Sequence, residues 1–248
     1  MDFCFENWTA AEFNLLEDYL RSISHPENAE RENRIVRTSY PLLSAYTKEL
    51  REVAQSIVKG NYASFLSQNP LRFHEELLLQ GFVISLLKDA HEQMRLLPDY
   101  LQKCDSWAQT DSLKFRINKK NADEWFDFAA SLTQSVHVFE RRCGILIFFK
   151  FLETDRLDDV FSIIKGMRDE KEYYVNMAIA WLVCEAFVKR RDKTLALFES
   201  YALSPWVQLK AISKCRDSFR VSLEDRALLL TLKKDLLAHN LHSIRLLF

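Results

Sequence analysis

Four glycines are spread over 248 residues, while apolar side chains recur at helical spacing through almost the whole length. So few residues free to take left-handed or sharply turned backbone cannot supply the loops of an α/β enzyme with phosphate-binding turns. Neither the Walker spacing nor the Rossmann glycine fingerprint is present. The periodicity predicts helices near 9–24, 28–36, 41–58, 60–67, 71–90, 91–103, 106–116, 121–134, 137–153, 157–167, 171–189, 192–200, 206–216 and 222–238. Pro26, Pro41, Pro70, Pro98 and Pro205 fall near predicted ends. Asn121 before Ala-Asp-Glu, and Ser222 three residues before Asp225, read as helix starts. Extended alternating strands are not expected.

The helices come in pairs of about 30–40 residues without strict identity between pairs, the pattern of degenerate helical repeats. The expected fold is all-α: a right-handed α-solenoid of HEAT-like repeats with a concave groove, forming one domain over residues 1–248. A compact non-repeat bundle is the alternative. Cys4, Cys104, Cys143, Cys184 and Cys215 are odd in number and form no C-x-x-C pair. They read as small apolar residues in a reducing compartment rather than a disulfide framework or zinc site. The start MDFCFENW lacks a basic n-region, and the longest apolar run, around Cys143–Leu152, is broken by Lys150. A cytoplasmic protein, with no membrane partner, is expected.

Charge is uneven although the net is −1. Residues 1–30 carry seven acids against Arg21 alone. Residues 187–248 carry twelve bases, Arg245 included, against six acids, a candidate polyanion-binding face or an ordinary solvated surface.

In YYVNMAIAWLVCEAF, residues 173–187, a helical wheel puts Val175, Ile179, Leu182, Val183 and Ala186 within one arc of about 100°. Trp181 points about 150° away from the centre of that arc, on a second face with Tyr174 and Met177. Either the helix is buried on both faces, or those rings form a shelf along a groove. In SWAQTD, residues 106–111, Trp107 and Asp111 share a helix face one turn apart. In FERRCGILIFF, residues 139–149, Arg142 sits among apolar neighbours and needs an acceptor: an internal carboxylate such as Asp111, or an external phosphate. In KAISKCRDSFRVSLEDRALLL, residues 210–230, Lys214, Arg216 and Arg220 can grip a phosphate backbone or be solvated.

The run YYVNMAIAWLVCEAFVKRRDKTLALFES with the following KAISKCRDSFRVS, and upstream FERRCGILIFFKFL, SWAQTDSLKF and HEELLLQGFVISLL, resembles the DNA alkylation repair family, the AlkD-like HEAT-repeat glycosylases. The similarity covers roughly residues 72–236; the first 70 residues share only helical character. The resemblance implies hydrolysis of the N-glycosidic bond of purines alkylated on a ring nitrogen, in duplex DNA. Trp107 and Trp181 look like the family's groove tryptophans, Asp111 like its catalytic aspartate and Arg142 like its phosphate-gripping arginine. Tyr174, Lys114, Lys210, Lys214, Arg216 and Arg220 are further candidate DNA contacts.

A cationic base leaves without a general acid. A carboxylate at Asp111 would stabilise the oxocarbenium-like sugar and orient water. The indoles would attract cationic sugar and base, each by about 0.5–2 kcal/mol. No metal or cofactor is implied, no base-flipping pocket is required, and a monomer is expected. The acidic first 30 residues keep a second reading open: a non-catalytic HEAT-like module binding a protein or an atypical nucleic-acid structure, with Asp111 and Arg142 an internal ion pair.

Overall fold

The computed structural model describes residues 2–239, so Arg245 lies outside the described residues. All fourteen expected helices are present and no strand occurs among the described residues. They are α1 (Ala10–Ser22), α2 (Ala29–Val36), α3 (Thr47–Ile57), α4 (Tyr62–Gln68), α5 (His74–Leu86), α6 (Ala90–Leu101), α7 (Trp107–Asp111), α8 (Ala122–Leu132), α9 (Val138–Phe148), α10 (Leu157–Gly166), α11 (Tyr173–Lys189), α12 (Arg191–Glu199), α13 (Pro205–Asp217) and α14 (Leu223–His239). Short 3-10 turns precede α2 and follow α9. No described helix is long and apolar enough to cross a membrane.

Four expected helices are clearly shortened, and the one over 137–153 ends at Phe148 and passes into a 3-10 turn. The helix over 41–58 begins only at Thr47. The Glu75 carboxylate takes the main-chain N–H groups of Leu43 and Ser44, which holds 41–46 out of helix, and Ser44 has φ 60°. The helix over 71–90 runs only from His74 to Leu86, after Leu71 in left-handed backbone at φ 53°. The helix over 106–116 ends at Asp111, and residues 113–118 take no regular structure. Pro98 lies inside α6, three residues before its end.

The chain divides into two compact units, Met1–Trp125 and Phe126–Phe248. In the first, α5 is buried all round and α3 packs along it. Trp8 anchors the N-terminal segment, its ring 4.9 Å from those of Phe13 and Phe65. Several N-terminal acids are engaged internally: Glu12 closes a capping box with Thr9, and Glu17 pairs with Arg21 and Arg72. Gly81 allows α5 close to α6, since a Cβ there would lie 2.5 Å from the Tyr100 hydroxyl.

In the second unit α11 packs between α9 and α13. The α11–α13 pairing runs start to start, with the Tyr173 and Trp206 rings 6.0 Å apart. It also runs end to end, through Glu185 and Arg220. The two helices therefore lie side by side in one direction. Gly144 admits α8 against α9: a Cβ there would stand 2.6 Å from the Ala129 carbonyl.

Candidate functional site

Helix α7 has five residues, too few to be stable alone. It is held from both ends. Ser106 caps it and donates through Oγ to the Val36 carbonyl. Gln109 closes the capping box, accepting from the Ser106 and Asp105 N–H groups at 3.0 and 2.7 Å. The amide of Gln109 donates to Asp105 at 3.0 Å and faces His74 Nδ1 at 3.2 Å. Burial lowers the His74 pKa to about 4, so the ring is neutral and Nδ1 accepts from Gln109. Burial works against the Asp105 charge, but hydrogen bonds from Ser39 and Thr38 outweigh it and leave that carboxyl below the usual range.

On this braced turn Trp107 is half-buried and donates its indole N–H to the Ile35 carbonyl of α2 at 3.0 Å. Asp111, one turn on, is also half-buried, and the Thr110 hydroxyl donates to it at 3.3 Å. The indole is thus anchored through its N–H before any ligand arrives. Lys114 is exposed on the irregular segment that follows.

In the second unit, Val175, Ile179, Leu182, Val183 and Ala186 are all buried, as the wheel predicts. The buried arc is wider than the stripe, for Asn176, Ala178, Ala180, Cys184 and Phe187 are buried too. Trp181 nonetheless stays 37% exposed. Its ring meets Phe149 edge-on at 4.7 Å, and Tyr174, half-buried on the same face, packs on Phe139 at 5.6 Å.

Arg142 is only 4% exposed, and one Nη1 hydrogen goes to the Tyr174 carbonyl, which ties α9 to the start of α11. Its neighbour Arg141 is a brace, paired with Glu170 at 2.7 Å. Lys210 and Lys214, half-buried, follow Trp206 at four-residue steps along α13 and have no ion-pair partner among the described residues. Arg216 is half-buried, with its Nε buried and unpartnered among the described residues. Arg220 is neither a free phosphate hand nor merely solvated: it clasps Glu185 through both Nη atoms.

Sequence reasoning missed Glu185. The Arg220 clasp is the main cause of its carboxyl lying below the usual range, with a smaller share from the Trp181 indole N–H one turn back. The i, i+4 spacing of Trp181 and Glu185 was the available signal. It also missed Phe149 beneath Trp181, and Gln109, whose role depends on partners remote in sequence. Among the described residues no cluster of three His, Cys, Asp or Glu side chains suited to a metal ion occurs.

No curated protein matches the chain. A family profile described as DNA alkylation repair enzyme matches residues 16–215. That range starts well before the 72–236 stretch that carries the resemblance and stops short of its end. It takes in Trp107, Asp111, Lys114, Arg142, Tyr174, Trp181, Lys210 and Lys214, and leaves out Arg216 and Arg220. With four-fifths of its length so matched and only helices among its described elements, the chain belongs to the DNA alkylation repair enzyme family.

Proposed function

We propose that this protein is a DNA glycosylase that hydrolyses the N-glycosidic bond of cationic, ring-alkylated purines in duplex DNA. In this reading the chain forms a single right-handed HEAT-like solenoid over residues 1–248, acts as a monomer, and uses neither metal nor cofactor. Asp111 stabilises the oxocarbenium-like sugar as the bond breaks and orients the attacking water. The faces of Trp107 and Trp181 attract the cationic sugar and base. Arg142 and Tyr174 sit beside a neighbouring phosphate, and Lys114, Lys210, Lys214 and Arg216 contribute to backbone contact. The observation that carries the reading is Trp181, left exposed on a helix otherwise buried round most of its circumference, in a family of DNA alkylation repair enzymes. Burying that ring would have been the ordinary outcome for so large an apolar side chain.

The test is release of methylated purine from alkylated duplex DNA at low salt, comparing the parent with Asp111→Asn. Release by the parent and its loss in the variant supports both the activity and the role of the carboxylate. No release by either, with no retardation of DNA, rejects the reading.

A second reading is a non-catalytic HEAT-like binding module for a protein or an atypical nucleic-acid structure. Arg142 favours it: an arginine 4% exposed and spent on a main-chain carbonyl acts as an internal tie. DNA retardation unchanged by Asp111→Asn, without purine release, would select it.

A further inference from the structure

In the segment following α7 an expected helix gives way to irregular chain whose burial alternates residue by residue. Leu113 is buried and Phe115 and Ile117 half-buried, while Lys114, Arg116 and Asn118 between them are exposed. The conformation is imposed by polar groups that could otherwise have been apolar. Ser85 Oγ accepts from the Lys114 N–H at 2.9 Å. Gln93, 1% exposed, accepts from the Arg116 N–H at 2.9 Å and donates to the Lys114 carbonyl at 3.4 Å. Asn121 donates to the Arg116 carbonyl at 2.9 Å and accepts from the Asn118 N–H at 2.8 Å. Two inward polar side chains and a helix-start asparagine thus hold rigid a stretch whose outward groups are cationic.

Those cations are available. Lys88, Lys114, Lys119 and Lys120 have no ion-pair partner among the described residues, and Arg116 uses Nε on the Leu87 carbonyl, leaving its other N–H donors. The nearby acids are fewer: Asp89, which caps α6, and Asp123 and Glu124 in the first turn of α8. The basic cluster around α12 is different, because Lys189 pairs with Glu153, Lys193 with Asp158, and Arg191 with Asp225. The sequence leaves the basic C-terminal third open between a polyanion-binding face and a solvated surface, and Lys189, Arg191, Lys193 and Arg220 of that third are paired with acids within the fold.

We infer that the segment 113–120, with Lys88 beside it, is a phosphate-backbone contact for duplex DNA, continuous with the helix that carries Trp107 and Asp111. The partner's identity rests on the glycosylase reading; the contact itself is tested on duplex without any lesion. Binding of the full chain to unmodified duplex is measured across a salt series for the parent, for Lys114→Gln/Lys119→Gln/Lys120→Gln, and for Lys189→Gln/Lys193→Gln. The triple variant should reduce the slope of log affinity against log salt by about 3, at roughly 0.9 per contact, and weaken binding at low salt at least about tenfold. The double variant should keep the parent slope. Lys119→Gln alone should show about a third of the fall, which reads the same quantity if the triple variant is unstable. An unchanged slope in the triple variant overturns the inference, as does an equal fall in the double variant. So does binding of poly-glutamate that the triple variant loses while its DNA affinity is kept. Purine release is not needed for any of these readings. Absence of release with the slope reduced as expected rejects the glycosylase alone, and release with an unchanged slope rejects the contact alone.

Discussion

Trp181 and Leu182 are adjacent on α11, and the difference between them is a matter of direction. Leu182 is fully buried, and truncating such a side chain costs about 2–5 kcal/mol. Trp181 is off the core, so Trp181→Ala should cost less than about 1.5 kcal/mol despite removing more atoms. Denaturant midpoints of the two variants check this, and a loss at Trp181 equal to that at Leu182 would make the ring a packing residue. The direction of Trp181 was legible because a helical wheel is local geometry. Its partner Glu185 was overlooked within the same run, and Arg220, which clasps Glu185, lies thirty-five residues on, beyond the reach of any wheel. Gln109 was not legible for the same reason: its amide serves Asp105 and His74, and only folding brings His74 near. That contact has a pH signature. His74 is neutral when folded, with its pKa lowered from 6.5 to about 4 by burial. Between those values the unfolded chain binds a proton that the folded chain refuses, so stability falls with falling pH across that window, by roughly 3 kcal/mol. Glu75 and Glu76, whose pKa values burial raises, act in the opposite sense, so the parent must be compared with a variant. His74→Asn keeps an acceptor for Gln109 and cannot titrate; its stability between pH 6.5 and 4 should fall less than the parent's. Parallel curves would remove His74 as the cause.

Helix existence was written into the chain by apolar periodicity, and helix length was decided by partners. The expected 41–58 helix lost its first turn to the Glu75 carboxylate, which no local pattern announces. The expected 106–116 helix was different, because Leu113, Phe115 and Ile117 alternate with Lys114, Arg116 and Asn118 at period two, a signal of extended chain present in the sequence and outweighed by the helical start at Ser106. Close approach between helices was not legible, since a glycine inside a helix gives no sign of what stands opposite. Gly144 and Gly166 make the contrast measurable. Gly144→Ala places a methyl 2.6 Å from a main-chain oxygen of α8, so α9 must shift, at a cost of about 1–3 kcal/mol or more. Gly166, the last residue of α10, has nothing within 4 Å of an added Cβ and no left-handed backbone. Gly166→Ala should stabilise by about 0.4–1 kcal/mol through the unfolded state. Chemical denaturation of both variants checks the pair, and equal effects would mean that close approach at Gly144 is not what fixes α9 against α8.

Across the whole molecule, net charge was a poor guide and the fate of individual charges a better one. The acidic N-terminus has Glu12 and Glu17 engaged in a cap and in ion pairs, and the basic C-terminal third has Lys189, Arg191 and Lys193 neutralised by acids. Part of the charge at each end of the sequence is therefore met by partners within the fold. The proposed glycosylase reaction makes a demand on the whole protein that can be measured. A purine alkylated on a ring nitrogen is already cationic, so its departure needs no proton from the enzyme. A neutral purine would need a general acid, and the rate would then fall as that acid deprotonated. At saturating DNA, release of a cationic purine should therefore be flat through neutral and mildly alkaline pH. Chelation of metal ions should leave the rate unchanged. Single-turnover release across pH, on duplex containing one ring-alkylated purine, is the measurement. An alkaline limb near neutrality would reveal a proton donor that this mechanism does not contain, and would move the chemistry away from Asp111 acting with the two indoles.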